Sequence, residues 1–130
     1  VSDDVHISID DGENWSPVGL KRLFGLNYPR GIMVHPSDPE LIFLTIGDWT
    51  PGKTGTVLRS HDTGKTWEAL PMPVQPNSAM WVVNAQSFHP ETVLAGSKYG
   101  YLYRSDNYGD SWSKIWREFS EISSVIRLPA

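Results

Sequence analysis

The chain has 130 residues, a formal net charge of −4, 20% charged and 39% hydrophobic residues, and no cysteine. That is enough chain for one modest domain with a real core, and the composition is that of an ordinary globular protein. It excludes disulfides and thiolate metal sites, leaves the compartment open, and disfavours a polyanionic nucleic-acid partner. No apolar run approaches the roughly 18 residues of a membrane span, and the opening Val1-Ser2-Asp3-Asp4 is not a signal peptide, although one removed earlier would leave no trace.

Six tryptophans, eleven glycines and ten prolines are spread along the whole length, which predicts many short strands separated by frequent turns. In chain order the first two strands are Val5 to Ile9 and Trp15 to Val18. The next four lie near Gly31 to Val34, at Leu41 to Ile46, at Thr56 to Arg59 and at Thr66 to Leu70. Four more follow near Trp81 to Phe88, at Thr92 to Ala95, at Gly100 to Arg104 and at Ser111 to Ile115. Ser123 to Leu128 reads as an eleventh strand.

One hairpin motif recurs three times. Its copies carry Ser8, Asp10, Gly12 and Trp15; Ser60, Asp62, Gly64 and Trp67; and Ser105, Asn107, Gly109 and Trp112. The pattern is S-x-D-x-G-x-x-W, with Asn107 in place of the Asp in the third copy. Ser8 to Ser60 is 52 residues and Ser60 to Ser105 is 45, the length of one four-stranded propeller blade. The Asp accepts hydrogen bonds from N–H groups of its own turn. The Gly supplies a positive φ, and the Trp covers the turn with a large apolar face. These are structural roles, as are those of Arg59 and Arg104 beside the boxes. A His-Pro pair recurs in step, at His35-Pro36 and His89-Pro90, each between two strand-like runs. Equivalent positions imply a turn role for both histidines, so no metal site is expected.

These boxes resemble the Asp-box, or BNR, repeat of sialidase-like β-propellers. That group includes bacterial sialidases, xyloglucan-degrading glycosidases, sortilin-type receptors and photosystem II assembly factors. The wider pattern is similar to bacterial BNR-repeat glycosyl hydrolase-like proteins of unassigned activity. The resemblance implies an all-β partial propeller of about two and a half blades, with strands A to D running outwards and each box joining C to D. Residues 1–18 would be a half blade, 29–71 and 80–117 complete blades, and 123–130 the first strand of a further blade. Such a strand set closes no ring, so the chain is expected to be part of a longer propeller or to assemble with copies of itself.

The resemblance also implies a ligand site on the face opposite the boxes. Three stretches lie there: Gly19 to Arg30, Pro71 to Ala79, and the loop Gly47 to Gly55. His35 to Ser60 is 25 residues against 16 for His89 to Ser105, which reads as a nine-residue insertion in that loop. The binding candidates are Arg22, Arg30, Asp48, Trp49, Lys53 and Tyr99, since binding residues concentrate on such loops. Trp49 is placed to stack on a sugar, to anchor a protein or simply to cover a neighbouring blade. The expected partner is a protein or a carbohydrate, with no cofactor. Glycoside hydrolysis is the alternative function. Sialidase-like chemistry would need an arginine cluster, for which Arg22, Arg30 and Arg117 are available, and the Phe-Arg-Ile-Pro motif is absent. An inverting pair of carboxylates would have to be Asp48 and Glu118. No nucleophile elbow or phosphate loop is present.

Overall fold

A computed structural model describes residues 3–129. Among the described residues ten strands form three antiparallel sheets. The hairpin β1 (His6–Ile7) and β2 (Ser16–Pro17) stands first. A short helix α1 (Leu20–Phe24) follows. The first complete sheet runs β3 (Tyr28–His35), β4 (Asp38–Gly47), β5 (Gly55–Ser60), β6 (Glu68–Ala69), in spatial order. The second repeats it with β7 (Met80–Gln86), β8 (His89–Ser97), β9 (Leu102–Ser105) and β10 (Ser113–Lys114). No helix among the described residues is long and apolar enough to cross a membrane.

Alternation along β4 explains why the sheets stack. Leu41 and Phe43 point to the second complete sheet and join Val57, Leu70, Met80, Val93, Ala95 and Tyr103 in one buried cluster. Leu44 and Ile46 point the other way and join Leu58 and Leu20, with Val5, Val18 and Trp67 packed around them. Both faces of the sheet are therefore apolar, which is what a strand buried on two sides requires. Burying each large side chain contributes on the order of 1.5–3 kcal/mol.

The helix α1 was not expected in the Gly19 to Arg30 connection. Leu20 and Phe24 are one turn apart and both reach the second cluster. Asp4 caps the helix from outside, accepting from the backbone N–H of Gly19 at 2.9 Å and of Leu20 at 3.2 Å.

The three boxes share one geometry. The serine hydroxyl donates to the Asp or Asn Oδ1 at 2.8, 2.8 and 2.9 Å. It accepts from the glycine N–H at 2.7, 2.8 and 2.8 Å. Oδ1 also accepts the N–H of Asn14, Thr66 or Ser111 four residues on. The indole N–H of each tryptophan donates to the glycine carbonyl. Positive φ occurs at two successive residues, Asp11-Gly12, Thr63-Gly64 and Tyr108-Gly109, which makes these type I′ turns. Thr63 and Tyr108 are held there by a backbone bond to the start of the second strand of a sheet, to Glu40 O at 3.0 Å and Glu91 O at 2.9 Å.

Three expectations need correction. His35 ends β3 opposite Asp38, whereas His89 begins β8 opposite Gln86, so the two histidines are not equivalent. His35 is buried; its Nδ1 accepts from the N–H of Ser37, so Nε2 carries the proton and donates to Pro90 O at 2.7 Å. The loop insertion is shorter than nine residues. Thr45 faces Val57 twelve residues on, and its counterpart Gly96 faces Leu102 six residues on, which leaves six extra residues. Ser123 to Leu128 forms no strand; no described residue pairs with it. The segment instead lies over the far face of the second complete sheet, with Ile122 against Gly96 and Arg127 donating to Thr92 Oγ1 at 3.0 Å. Residues 1, 2 and 130, which that reading assigned to the terminal blades, lie outside the described residues.

The second and third boxes differ in charge. The Thr66 hydroxyl and backbone N–H hold the Asp62 carboxyl at a pKa of about 2. Asn107 keeps the geometry by donating from its amide to Ser111 Oγ at 2.8 Å. A depressed pKa adds stability above the unfolded value near 3.9, which is lost as pH falls towards 2. Asp62→Ala is expected to lower the melting temperature more than Asn107→Ala at neutral pH. The gap between wild type and Asp62→Asn should narrow on acidification from pH 4 to about 2. Thermal melts across that range check both; a gap constant with pH would refute the assignment.

Candidate functional site

The first turns of β3 and β7 stand at the end of each sheet remote from the boxes. Tyr28 pairs with Gly47 and Gly47 with Gly55, whereas the box serine Ser60 pairs with Ile42 at the other end. Both strands break register there, between Pro29 and Gly31 and between Met80 and Val82. Such a bulge re-aims the extra side chain. The residues re-aimed are Arg30 and Trp81, at matching positions of the two sheets.

They meet in one cluster. The Arg30 guanidinium lies 4.3 Å from the Trp81 ring centroid, and the Lys98 ammonium also lies 4.3 Å from it. Tyr28 stacks on Trp81 with centroids 6.4 Å apart, and Trp49 tilts against Tyr28 at 6.1 Å. Trp49 remains 63% exposed. Gly31 makes the close approach of the two sheets possible, because a Cβ there would meet Thr45 Oγ1 at 2.9 Å and the Trp81 carbonyl at 3.0 Å. Lys98 also pairs with Glu121 at 3.8 Å.

The loop carrying Trp49 is organised by Asp48. Its carboxylate accepts from the N–H groups of Lys53 at 3.0 Å and Thr54 at 3.3 Å. Burial raises the Asp48 pKa, but these backbone N–H groups outweigh it and hold the carboxyl below the usual range. Asp48 is thus an ionised loop clasp and ill suited to act as a general acid. The Ala79 N–H donates to Pro51 O at 2.8 Å, which joins this loop to the stretch before β7. On the neighbouring turn the Tyr99 N–H donates to buried Ser78 Oγ, and Asn77 donates to Tyr99 O. Tyr99 is 45% exposed.

Of the residues the sequence singles out, Arg30 and Trp49 enter the aromatic cluster. Asp48 and Lys53 shape the loop beside it, and Tyr99 adjoins Lys98. Arg22 is elsewhere: it lines a cleft of about 710 Å³ between the first hairpin and the second box, with Ile7, Val18 and Trp67. Glu118 is held by Lys114 at 3.3 Å and Arg117 lies over Phe119, so neither completes a catalytic constellation with Asp48. Trp81, Tyr28 and Lys98 are not among the candidates the sequence singles out. The run Met80-Trp81-Val82-Val83 breaks polar-apolar alternation, and that break is the available signal for the bulge.

Arg59 is structural. Nearly buried, it donates to Tyr108 O at 2.8 Å and Asp110 Oδ1 at 2.7 Å in the third box, and pairs with Glu68 in its own sheet. Its Nε has no partner among the described residues.

The model of the Sortilin-Vps10 family, described as sortilin, neurotensin receptor 3, matches residues 3–126. The chain belongs to the Sortilin-Vps10 family. Among curated relatives this Sortilin-Vps10 chain is 34% identical over 97 residues to xyloglucanase Xgh74A of Acetivibrio thermocellus, covering 66% of the chain and 11% of the enzyme. It is 31% identical over 105 residues to a xyloglucanase of Paenibacillus sp., covering 73% and 10%. It is 36% identical over 78 residues to the uncharacterized protein YkuO of Bacillus subtilis, covering 58% and 24%. The chain thus spans about a tenth of the length of the xyloglucanases it matches. A solved ancestral GH74 enzyme superposes with a TM-score of 0.67 at 20% identity, over 84% of this chain and 15% of that one. YCF48 bound to a peptide superposes with a TM-score of 0.59 at 18% identity, over 88% and 34%. These likenesses establish an all-β partial propeller and a correspondence to part of the GH74 propeller domains.

The loop geometry carries its own test. Asp48→Ala removes the acceptor for the Lys53 and Thr54 N–H groups, so the loop should open. Limited trypsin digestion after Lys53 is expected to be several-fold faster in the variant at unchanged melting temperature. Equal cleavage rates would show that the carboxylate does not hold the loop.

Proposed function

We propose that the protein binds a polysaccharide of the xyloglucan type through the Trp49, Tyr28 and Trp81 cluster at the end opposite the boxes. The observation that supports this is a row of three rings spaced 6.1 and 6.4 Å apart, with Trp49 open to solvent. Sugar rings present C–H faces that stack on aromatic surfaces; Trp49 offers such a face, braced by Tyr28, which is itself stacked on Trp81. Arg30, Lys98 and Tyr99 supply donors around the row for sugar hydroxyls. Two relatives named as xyloglucanases point to the same ligand class.

Binding is favoured over hydrolysis as the role of these residues. Hydrolysis of a glycosidic bond uses two carboxylates facing one cleft. Asp48 is committed to its loop and Glu118 to Lys114. A bonded, depressed carboxylate does not protonate a leaving group at neutral pH.

Titration calorimetry with soluble xyloglucan oligosaccharides tests the proposal. Trp49→Ala should weaken binding about tenfold, roughly 1.4 kcal/mol, with no change in melting temperature because the ring is mostly exposed. His61→Ala, on the box end, should bind as wild type. Absence of binding by the wild-type protein, or equal affinity of the Trp49 variant, would overturn it.

A further inference from the structure

The protein builds the same contact between neighbouring sheets twice and fills it only once. In the contact between the two complete sheets, Arg59 reaches across to the third box. Its guanidinium donates to Tyr108 O at 2.8 Å and to Asp110 Oδ1 at 2.7 Å. Glu68, its cross-strand neighbour on β6, pairs with it from its own sheet. A cationic arm held between two carboxylates thus closes the space beside that box.

In the contact between the first hairpin and the first complete sheet, all three parts are changed. Ile7 takes the place of Arg59, since each precedes its box serine and Ile7 pairs with Ser16 as Arg59 pairs with Glu68. Lys65 follows its box glycine as Asp110 follows Gly109. The arm is therefore aliphatic and shorter, one carboxylate has become a hydroxyl, and the other has become an ammonium. Ile7 still reaches the box, with Cδ1 2.8 Å from the Cβ position of Gly64, and its side chain ends there. What remains is the cleft of about 710 Å³, a size typical of small-molecule sites. It lies between two sheets of this chain rather than on an outer face.

The lining has two kinds of surface. Ile7, Val18 and Trp67 form an apolar wall, and Lys65 and Arg22 bring positive charge. The Trp67 indole N–H is engaged by Gly64 O at 2.9 Å, so its ring is what the cleft receives. Among the described residues neither cation takes part in an ion pair. Asp10 also lines the cleft, but its carboxylate already accepts from the Ser8 hydroxyl and from the backbone and side-chain N–H groups of Asn14.

We propose that this cleft binds a small amphipathic carboxylate, its hydrocarbon body against Ile7, Val18 and Trp67 and its anionic head on Lys65, with Arg22 adding a second positive charge. The sign follows from the comparison of the two contacts. The filled one sets carboxylates around an internal cation; the open one sets an unpaired cation where a carboxylate stood and supplies no arm to meet it. Burial of the body removes apolar surface from water, and the head gains charge-assisted hydrogen bonds. The chain as a whole is acidic, with a net charge of −4, so an anion is drawn to local unpaired cations and not to the surface at large.

Titration calorimetry with decanoate on the full 130-residue chain tests this. One decanoate is expected per chain, and decyltrimethylammonium, with a similar body and the opposite charge, should not bind. Lys65→Glu should weaken decanoate by roughly tenfold or more, because a carboxylate then faces the anionic head. Lys65 is exposed, so this variant should melt as wild type. Arg117→Glu makes the same change in net charge away from the cleft and should bind as wild type. Butyrate, which keeps the head and loses most of the body, should bind roughly tenfold or more weakly than decanoate. No decanoate binding by the wild type would overturn the proposal. So would equal affinity of Lys65→Glu, equal weakening by Arg117→Glu, or equal binding of butyrate or of the cationic analogue.

Discussion

The first complete sheet carries apolar side chains on both faces, and that constraint organises the rest. A single strand, β4, sends Leu41 and Phe43 to one side and Leu44 and Ile46 to the other. Such a sheet is stable only between two neighbours. Stacking then fixes the spacing between sheets, and the glycines mark where it is tightest. A Cβ on Gly47 would lie 2.4 Å from the Ala79 side chain, and one on Gly55 would lie 2.5 Å from the Met80 backbone.

The boxes convert this stacking into a repeat. Each ties its own two outer strands together through the serine and the Asp or Asn, and the second and third also present their glycines to the sheet before. The turn is therefore both a local closure and half of an inter-sheet contact. That dual use explains why its residues recur at fixed spacing while much of the remaining sequence varies. It also explains why Thr63, a β-branched residue with a φ of 62°, is tolerated where such a conformation is costly. Its N–H is bonded to Glu40 O, and the turn around it is fixed by Ser60 and Asp62.

The fold was largely legible because its signals are local. Asp62, Gly64 and Trp67 act within eight residues of one another, and alternation along Leu41 to Ile46 is read directly. The misreadings arose where identity in sequence was taken for equivalence in space. His35 and His89 share a His-Pro pair, yet one closes a strand and the other opens one; only the ladder reveals the shift of three residues. The apparent nine-residue insertion inherited the same error. The helix at Leu20–Phe24 is five residues long, too short for a periodic signal, and its cap comes from Asp4, far back in the chain. At the site, Trp49 and Arg30 were legible as loop residues. Trp81 was not, because a tryptophan in an apolar run reads as core until a bulge turns it outwards.

The two ends of the sheets have consequently been put to different uses. At the box end the serine, the Asp or Asn and the tryptophan of each motif are bonded within their own turn. At the other end the bulges at Arg30 and Trp81 release side chains that the ladder would otherwise commit to the core. Tyr28 at the start of β3, Trp49 in the loop after β4 and Lys98 just after β8 join them from three separate stretches of chain. Because the bulges are anchored in β3 and β7, the rings of Tyr28 and Trp81 are positioned by rigid strands rather than by the loops alone. Only Trp49 rides on a loop, and Asp48 clasps that loop with two backbone hydrogen bonds. Such a surface is preorganised, so under the proposed binding role little ordering would oppose a ligand. The same scaffold admits new ligands by exchanging the re-aimed residues while the boxes, and hence the stacking, stay as they are.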